Sequence, residues 1–546
     1  MFVRIKKSGK YQYLQIVENR KEGKKVKQRV IATVGRIDQL HEKDQVEKLI
    51  RSFAKYSERV LLILSGKSEV AAESKKIGPS LIFERLWKDT GIKRVLEELL
   101  AERNFEFDVE RAIFLTVLHR LMVSGSDRYC SKWRRDYIIN GVDELKLHHL
   151  YRAMAFLGDQ LKDQKDALPF SPRCMKDLLE EKLFFYRRDL FSQLNIVFFD
   201  TTSIYFEGAG GVKLGQRGYS KDHRPDLNQM VVGAILDEKG RPICCEMWPG
   251  NTADVKTLIP VTKRIQKRFK IGRFCVVADR GMISSETLDY LGEPSSQIDY
   301  ILGARMRRVN EIKEDVLSRG GRYREVHPEG VKSNDPSPLK VKEVLHNGSR
   351  YIVCLNTRQA RKDALDREAI VNSLKEQLKK GGKSLVGNKG YKKYLKVKKG
   401  SVEIDLKKVE EESRYDGKWV LKTNTKLSSE EVALKYKELW QVERIFRDAK
   451  SMLETRPVYH QRDETIRGHV FCSFLALVVR KELERRLRSS GHNFEWSDIK
   501  QDLSALEEIR LEENNKQFVI RSQCVGTCGK IFQAVGVALP STIREI

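Results

Sequence analysis

The sequence has no disulfide framework, no membrane-spanning run and no excess of acid, and each absence closes off a class of function. Its nine cysteines are scattered; Cys524 and Cys528 stand four apart with no second pair, and His492 is the closest histidine. That spacing falls short of a zinc signature, so reduced, buried thiols are expected. The opening stretch MFVRIKKSGKYQYL lacks the apolar centre of a signal peptide. The longest apolar run, VFCSFLALVV at Val470–Val479, is too short to span a bilayer. No internal repeat or low-complexity tract stands out. A soluble, cytoplasmic protein with no membrane partner is the expectation.

Basic charge, in contrast, is abundant. Lys and Arg number 103 against 76 Asp and Glu, a formal charge of +27 over 546 residues. Such an excess favours a polyanion, because neutralising phosphates releases counterions from nucleic acid. Between Met1 and Val30 ten basic residues meet only Glu18 and Glu22, and between Lys375 and Gly400 ten lysines meet only Glu376. Each run alone also reads as a solvated face; two separated runs imply a long ligand held at more than one place. With 40% apolar residues the chain can bury real cores, and its length suggests several domains.

The pattern along the chain predicts their order. Residues 1–77 alternate around SGK and KEGK as a small, basic, three-stranded β unit with a linker. Residues 78–190 carry apolar side chains at helical spacing, a helical domain. From 191 to 305, NIVFFD, NQMVVGAILD, RPICCEMW and RFCVVAD read as strands, with a helix in DVKTLIPVTKRIQKRF before the last of them. Two antiparallel hairpin strands, a crossover and a further strand predict an α/β sheet of ribonuclease-H type. Residues 306–426 give broken strands, among them SVEIDLKKV and KWVLKT, with one helical run near Asp366–Lys380: a mainly β insertion. Residues 427–490 return to helix and 491–546 form a mixed C-terminal segment.

Asp200 ends the apolar run IVFF, and Asp279 ends FCVVA in the same way. Either alone is explained by a turn or a helix cap. Two neighbouring strands ending alike bring carboxylates together, and these repel unless a cation lies between them. A third carboxylate comes from EVALKYKELWQVERIFRDAK. At about 100° per residue, Glu443 falls within the stripe of Val432, Tyr436, Leu439, Phe446 and Lys450. A carboxylate turned toward a core needs a partner or a metal. Lys450 or an arginine from elsewhere would make a plain buried pair. Two aspartates and a glutamate form an oxygen-only set suited to Mg²⁺, and two such ions could flank a scissile phosphate.

These motifs, in this order, resemble the DDE transposases of bacterial insertion sequences. The resemblance is to the hairpin-forming, IS-four-like group with a β-rich insertion between the second aspartate and the glutamate. It runs from FVRIKKSGKYQYLQIVE to the C-terminal ALP and includes the long block Gly218–Leu258. It implies that Asp200, Asp279 and Glu443 are the catalytic, metal-binding triad, served by two Mg²⁺ ions with Mn²⁺ as a substitute. The related helix carries a tyrosine seven residues before the glutamate, an arginine four before and a lysine seven after. Tyr436 and Lys450 match the first and last as DNA contacts, whereas Leu439 stands at the arginine position. That leaves the missing phosphate contact to Arg444 or to another segment. Trp419 matches a tryptophan that stacks a flipped base. Arg280, beside Asp279, and Lys221, His223 and Arg224 in YSKDHRPD are expected near DNA; each also reads as ordinary packing, pairing or solvated loop.

The expectation is an α/β transposase: a ribonuclease-H-like core interrupted by a β insertion, behind a small β unit and a helical domain. It would bind the terminal inverted repeats of its element as a homodimer and hydrolyse a phosphodiester there. It would then transfer the freed strand to target DNA, acting in the cytoplasm at the nucleoid. Two other readings use the same residues: a structure-selective Mg²⁺-dependent nuclease of the same fold, and a catalytically silent DNA-binding derivative.

Overall fold

The computed structural model describes residues 2–22, 25–42, 45–54, 71–168, 171–187, 194–327, 339–379, 393–398, 401–513 and 516–545. Part of the second lysine run, residues 380–392 and 399–400, lies outside them. The chain divides into two compact units, Met1–Ile82 with Arg135–Ile138 and Phe494–Ile546, and Phe83–Arg134 with Ile139–Asn493.

In the first unit β1 (Phe2–Ser8), β2 (Tyr11–Glu22) and β3 (Lys25–Arg36) form an antiparallel sheet. A second sheet has the order β18 (Ile543–Glu545), β17 (Lys516–Arg521), β16 (Glu507–Glu513), β4 (Ala71–Lys76). The pairing of β16 with β4, Ile509 opposite Ser74, joins the C-terminal segment to the start of the chain. Sequence reading treats these as separate pieces, since nothing local encodes a pairing across some 430 residues.

The second unit is built on a nine-stranded mixed sheet, β10-β11-β12-β15-β9-β8-β5-β6-β7. Strands β5 (Ile196–Tyr205), β6 (Gln229–Asp237) and β7 (Pro242–Pro249) are an antiparallel meander. β8 (Phe274–Ala278) and β9 (Ile298–Gly303) then run parallel to β5. β10 (Arg324–Val326), β11 (Leu339–His346), β12 (Ser349–Asn356) and β15 (Lys418–Thr423) are antiparallel, and β15 pairs with β9. The strands of residues 306–426 therefore extend the central sheet instead of forming a separate layer; pairing β15 on β9 leaves no raw edge there. A two-stranded ribbon, β13 (Leu395–Lys398) and β14 (Ser401–Ile404), stands apart. The stretch SVEIDLKKV is not one strand. Asp405 accepts the Lys408 N–H at 3.1 Å and caps a helix, Leu406–Ser413.

Helices α1 (Val109–Met122), α2 (Leu147–Gly158) and α3 (Met175–Arg187) precede the sheet, and α4 (Leu258–Phe269) crosses between β7 and β8. α5 (Thr357–Lys379) begins earlier than the expected run, and α6 (Ser429–Lys437), α7 (Trp440–Arg447) and α8 (Asp463–Ser489) complete the unit. The apolar run Val470–Val479 lies buried within α8, which packs on α1 and α2. No described helix is long and apolar enough to cross a membrane. The nine cysteines are all free thiols.

Period-two alternation sets the sheet's faces. Val197 and Phe199, then Phe274, Val276 and Ala278, then Ile298, Tyr300 and Leu302 share a core with Val261, Ile265 and Phe269 of α4. Beside it lies a buried charge cluster. Arg268 donates to Glu180 at 2.6 Å and to Glu246 at 3.2 Å, Arg264 reaches Asp177 at 2.9 Å, and Lys176 reaches Asp177 at 2.8 Å. Opposite charges hold the Asp177 carboxyl low against the desolvation that would raise it.

Candidate active site

Register brings the site together. Phe199 lies opposite Ala278 on β5 and β8, and Ala278 opposite Leu302 on β8 and β9. All three face the α4 core, so the next residue of each strand, Asp200, Asp279 and Gly303, faces the other way. The three therefore stand level on adjacent parallel strands, which are spaced ~4.8 Å apart. Asp279 and Gly303 stand at the ends of theirs, whereas Asp200 is mid-strand, because β5 runs on to Tyr205 beside β6 and does not end at the aspartate as the sequence pattern suggests.

On that face α6 packs against β8 and β9, and α7 against β5 and β6. The Tyr436 hydroxyl of α6 donates to Asp279 Oδ1 at 2.9 Å. Burial, then the Asp279 and Asp200 carboxylates, push that phenol's pKa far up, so it stays a donor. A Cβ on residue 303 would lie 2.2 Å from the Tyr436 oxygen; glycine is what lets the tyrosine cross the strand end.

Asp200 sits in a more hostile field. Burial raises its carboxyl to about 6, and Asp279 and Asp254 add to the rise. Lys221 and the Thr201 amide, which donates to Asp200 Oδ1 at 2.7 Å, oppose it. Asp254, which the sequence reading does not single out although it lies in the Gly218–Leu258 block, accepts from Thr201 Oγ1 at 2.7 Å. It also pairs with Lys221 at 3.0 Å. Lys221 further donates to the Thr201 carbonyl at 2.7 Å. This lysine is thus anchored beside the carboxylates and not held out on a free loop.

Glu443 is exposed, contrary to the helical projection, which turns it toward the core. The projection assumes one straight helix, whereas α6 ends at Lys437 and α7 starts at Trp440. Between them the bonds tighten to three-residue spacing, Leu439 N–H to Tyr436 at 3.1 Å and Val442 N–H to Leu439 at 3.0 Å. The tighter turn advances the phase, burying Val442, Ile445 and Phe446 and turning Glu443 outward. Asp279 and Glu443 line one cleft of about 740 Å³, together with Tyr436, Trp419 and Arg280.

Leu439 is buried. Arg444 does not replace the missing arginine in this cleft: it faces Glu484 at 3.8 Å and Asp448 at 4.0 Å. Lys450 lies in a π-helical turn, Asp448–Met452, and pairs with Asp222 at 2.9 Å, not with Glu443. Arg224 is exposed and paired with Asp226 at 3.0 Å; His223 beside it has a left-handed φ of 57°. Arg280 is exposed at the cleft's lip. Trp419 is half-buried on β15 opposite Cys354.

The donor set fits a hard divalent cation at Asp200 and Asp279. Both offer only oxygen, and the crowding that raises Asp200 is what a cation would relieve. Among the described residues the tight three-ligand groupings lie elsewhere, at Glu106, His148 and His149 and at Asp127, His460 and His469, so Glu443 does not yet close on the aspartates. The second grouping is occupied by hydrogen bonds. Arg120 donates to His469 Nδ1 at 2.9 Å, so Nε2 carries the proton and donates to the Thr455 carbonyl at 3.1 Å. That imidazole has no lone pair left for a metal.

Comparison with known proteins gives the family. The pattern of the transposase DDE domain matches residues 192–479, and that of the N-terminal domain of IS1634 family transposases matches residues 3–69. None of the curated proteins matches. Among solved structures, a piggyBac transposase synaptic complex with hairpin DNA is 10% identical, with a TM-score of 0.38 over 78% of this chain and 79% of that one. The DDE domain takes in more than half of the 546 residues, including every residue of the carboxylate site. The chain belongs to the DDE transposases of insertion sequences, enzymes that cleave DNA.

Proposed function

We propose that this transposase binds the terminal inverted repeats of its own element, cleaves a phosphodiester there with Mg²⁺, and transfers the freed strand to target DNA. The observation that carries the reading is the level placement of Asp200 and Asp279 on adjacent parallel strands, with Glu443 lining the cleft that Asp279 enters. A meander of three strands followed by two parallel ones also suits a ribonuclease-H-like core, as the DDE domain implies. Asp200 and Asp279 would hold the ions, two Mg²⁺ or Mn²⁺ in their place, and Glu443 would complete the set by turning inward as DNA enters. Bound there, divalent ions supply a nucleophilic oxygen at neutral pH and stabilise the leaving oxygen.

The chain's own residues do the positioning. Tyr436 fixes one oxygen of Asp279, and the other takes no hydrogen bond among the described residues. Arg280 offers its guanidinium at the lip, and Trp419 an aromatic face inside the cleft for an unstacked base. Because one set of carboxylates serves one DNA end, paired ends call for a homodimer. The basic N-terminal unit, residues 1–77, and the helical domain, residues 78–190, are the candidates for reading the repeats.

Incubation with Mg²⁺ and duplexes carrying the repeats that flank the gene tests this. Wild type should nick at the repeat end and yield joined product, and Glu443→Gln should bind the duplex as tightly yet cleave nothing. Cleavage by Glu443→Gln removes Glu443 from the chemistry. Cutting without regard to the repeats makes the protein a nuclease, and binding without cutting by wild type makes it a silent derivative.

A further inference from the structure

A second groove, of about 810 Å³, adjoins the carboxylates, and Tyr219, Thr252, Arg280, Arg305 and Arg308 are among its lining residues. It shares Arg280, Met306 and Arg307 with the Asp279–Glu443 cleft, so the two are separated by one wall. We propose, resting on the function above, that this groove holds the strand under attack: the target DNA backbone and not the element's own end.

Three observations support the assignment. First, the groove is basic in effect as well as in count. Its acid, Asp254, is neutralised by Lys221 at 3.0 Å, and Arg305 is fixed by donating to the Arg280 and Gly281 carbonyls, both at 3.0 Å. Arg308 is exposed and has no ion-pair partner among the described residues. Second, Tyr219 is 84% exposed. A ring left in water in the groove that Arg308 also lines is a platform for a base, the combination that marks sites for unstacked strands. Third, the groove approaches the aspartates from its own side. Thr202, two residues beyond Asp200, lines it, as does Arg280, next to Asp279.

Two strands held in the two clefts would thus meet at one pair of carboxylates. Strand transfer needs that meeting. The oxygen of the element's 3′-hydroxyl bonds to the target phosphorus and its proton passes to solvent. The target's own 3′ oxygen leaves with the bonding pair and takes a proton from solvent. One phosphodiester forms for the one that breaks, with no co-reactant.

The test uses the full chain with Tyr219→Ala and Arg308→Ala combined. Substrates are an uncleaved repeat-end duplex, a pre-cleaved one with a free 3′-hydroxyl, and a supercoiled plasmid lacking the repeats. The double variant should nick the uncleaved end within twofold of wild type, yet join the pre-cleaved end to plasmid at least about tenfold less. Its affinity for repeat-free duplex, measured by fluorescence anisotropy, should fall by about the same factor. Tyr219→Phe should keep joining near wild type, since the ring and not the hydroxyl does the stacking. Unchanged joining and unchanged repeat-free binding overturn the assignment, as does end nicking that falls in parallel with joining. If wild type fails to nick ends, the proposed function falls, and the anisotropy comparison still decides the groove.

Discussion

Asp200→Asn should make the protein more stable and less able to cleave, and pH separates the cause. Burial first, then Asp279 and Asp254, lift the Asp200 carboxyl from 3.8 to about 6. Two pKa steps correspond to ~3 kcal/mol. Because solvent still reaches part of the side chain, an effect of ~1–2 kcal/mol is the reasonable expectation. A raised carboxyl pKa means that the folded state holds its proton more tightly than the unfolded chain. Wild type therefore loses this stability as pH rises from about 4 through about 6. Asparagine carries no charge to desolvate and keeps an oxygen for the Thr201 amide, 2.7 Å away. Thermal unfolding of both proteins without divalent ions should give equal midpoints near pH 4. The midpoints should diverge as wild type ionises and keep a constant gap in favour of the variant above about pH 7. Added Mg²⁺ should raise the wild-type midpoint at neutral pH and leave the variant nearly unmoved. A gap that does not vary with pH, or a variant less stable than wild type at about pH 8, refutes the reasoning.

Tyr436→Phe removes the hydrogen bond to Asp279 and should slow end cleavage about tenfold, at unchanged DNA affinity, from a contact worth ~1.5 kcal/mol. Gly303→Ala should give the same defect, because its Cβ would stand 2.2 Å from the Tyr436 oxygen. The double variant should be no slower than Gly303→Ala alone, and additive losses in a cleavage assay count against the shared cause. Arg268→Met takes one cation from the buried charge cluster and leaves Glu180 to Lys176 and Glu246 to Arg264 alone; denaturant unfolding should register a loss of ~3–5 kcal/mol.

What could be read in advance depended on whether the cause was local. Asp200 and Asp279 each close an apolar run, but only Asp279 stands at a strand end; β5 carries Asp200 mid-strand and runs on through TTSIY, whose β-branched residues keep pairing with β6. The alternation Val197, Phe199 and Val276, Ala278 further implies that both aspartates turn away from the same core. Glu443 shows the limit of that method. Its orientation hangs on two residues, Glu438 and Leu439, that tighten one helix before the next begins, and a uniform projection has no means to register the change. The other features are products of neighbourhood. Glu246 reads as a misplaced charge in a strand until Arg264 and Arg268 arrive from the crossover helix. Asp254 reads as a turn residue until Thr201 and Lys221 meet it. Gly303 ends a strand without distinction, yet the order β5-β8-β9 sets it level with both aspartates, where the absent side chain admits Tyr436. Alternation fixes which way each residue faces, but only the adjacency of strands decides whether two of them meet. The chemistry proposed for this chain rests on that adjacency.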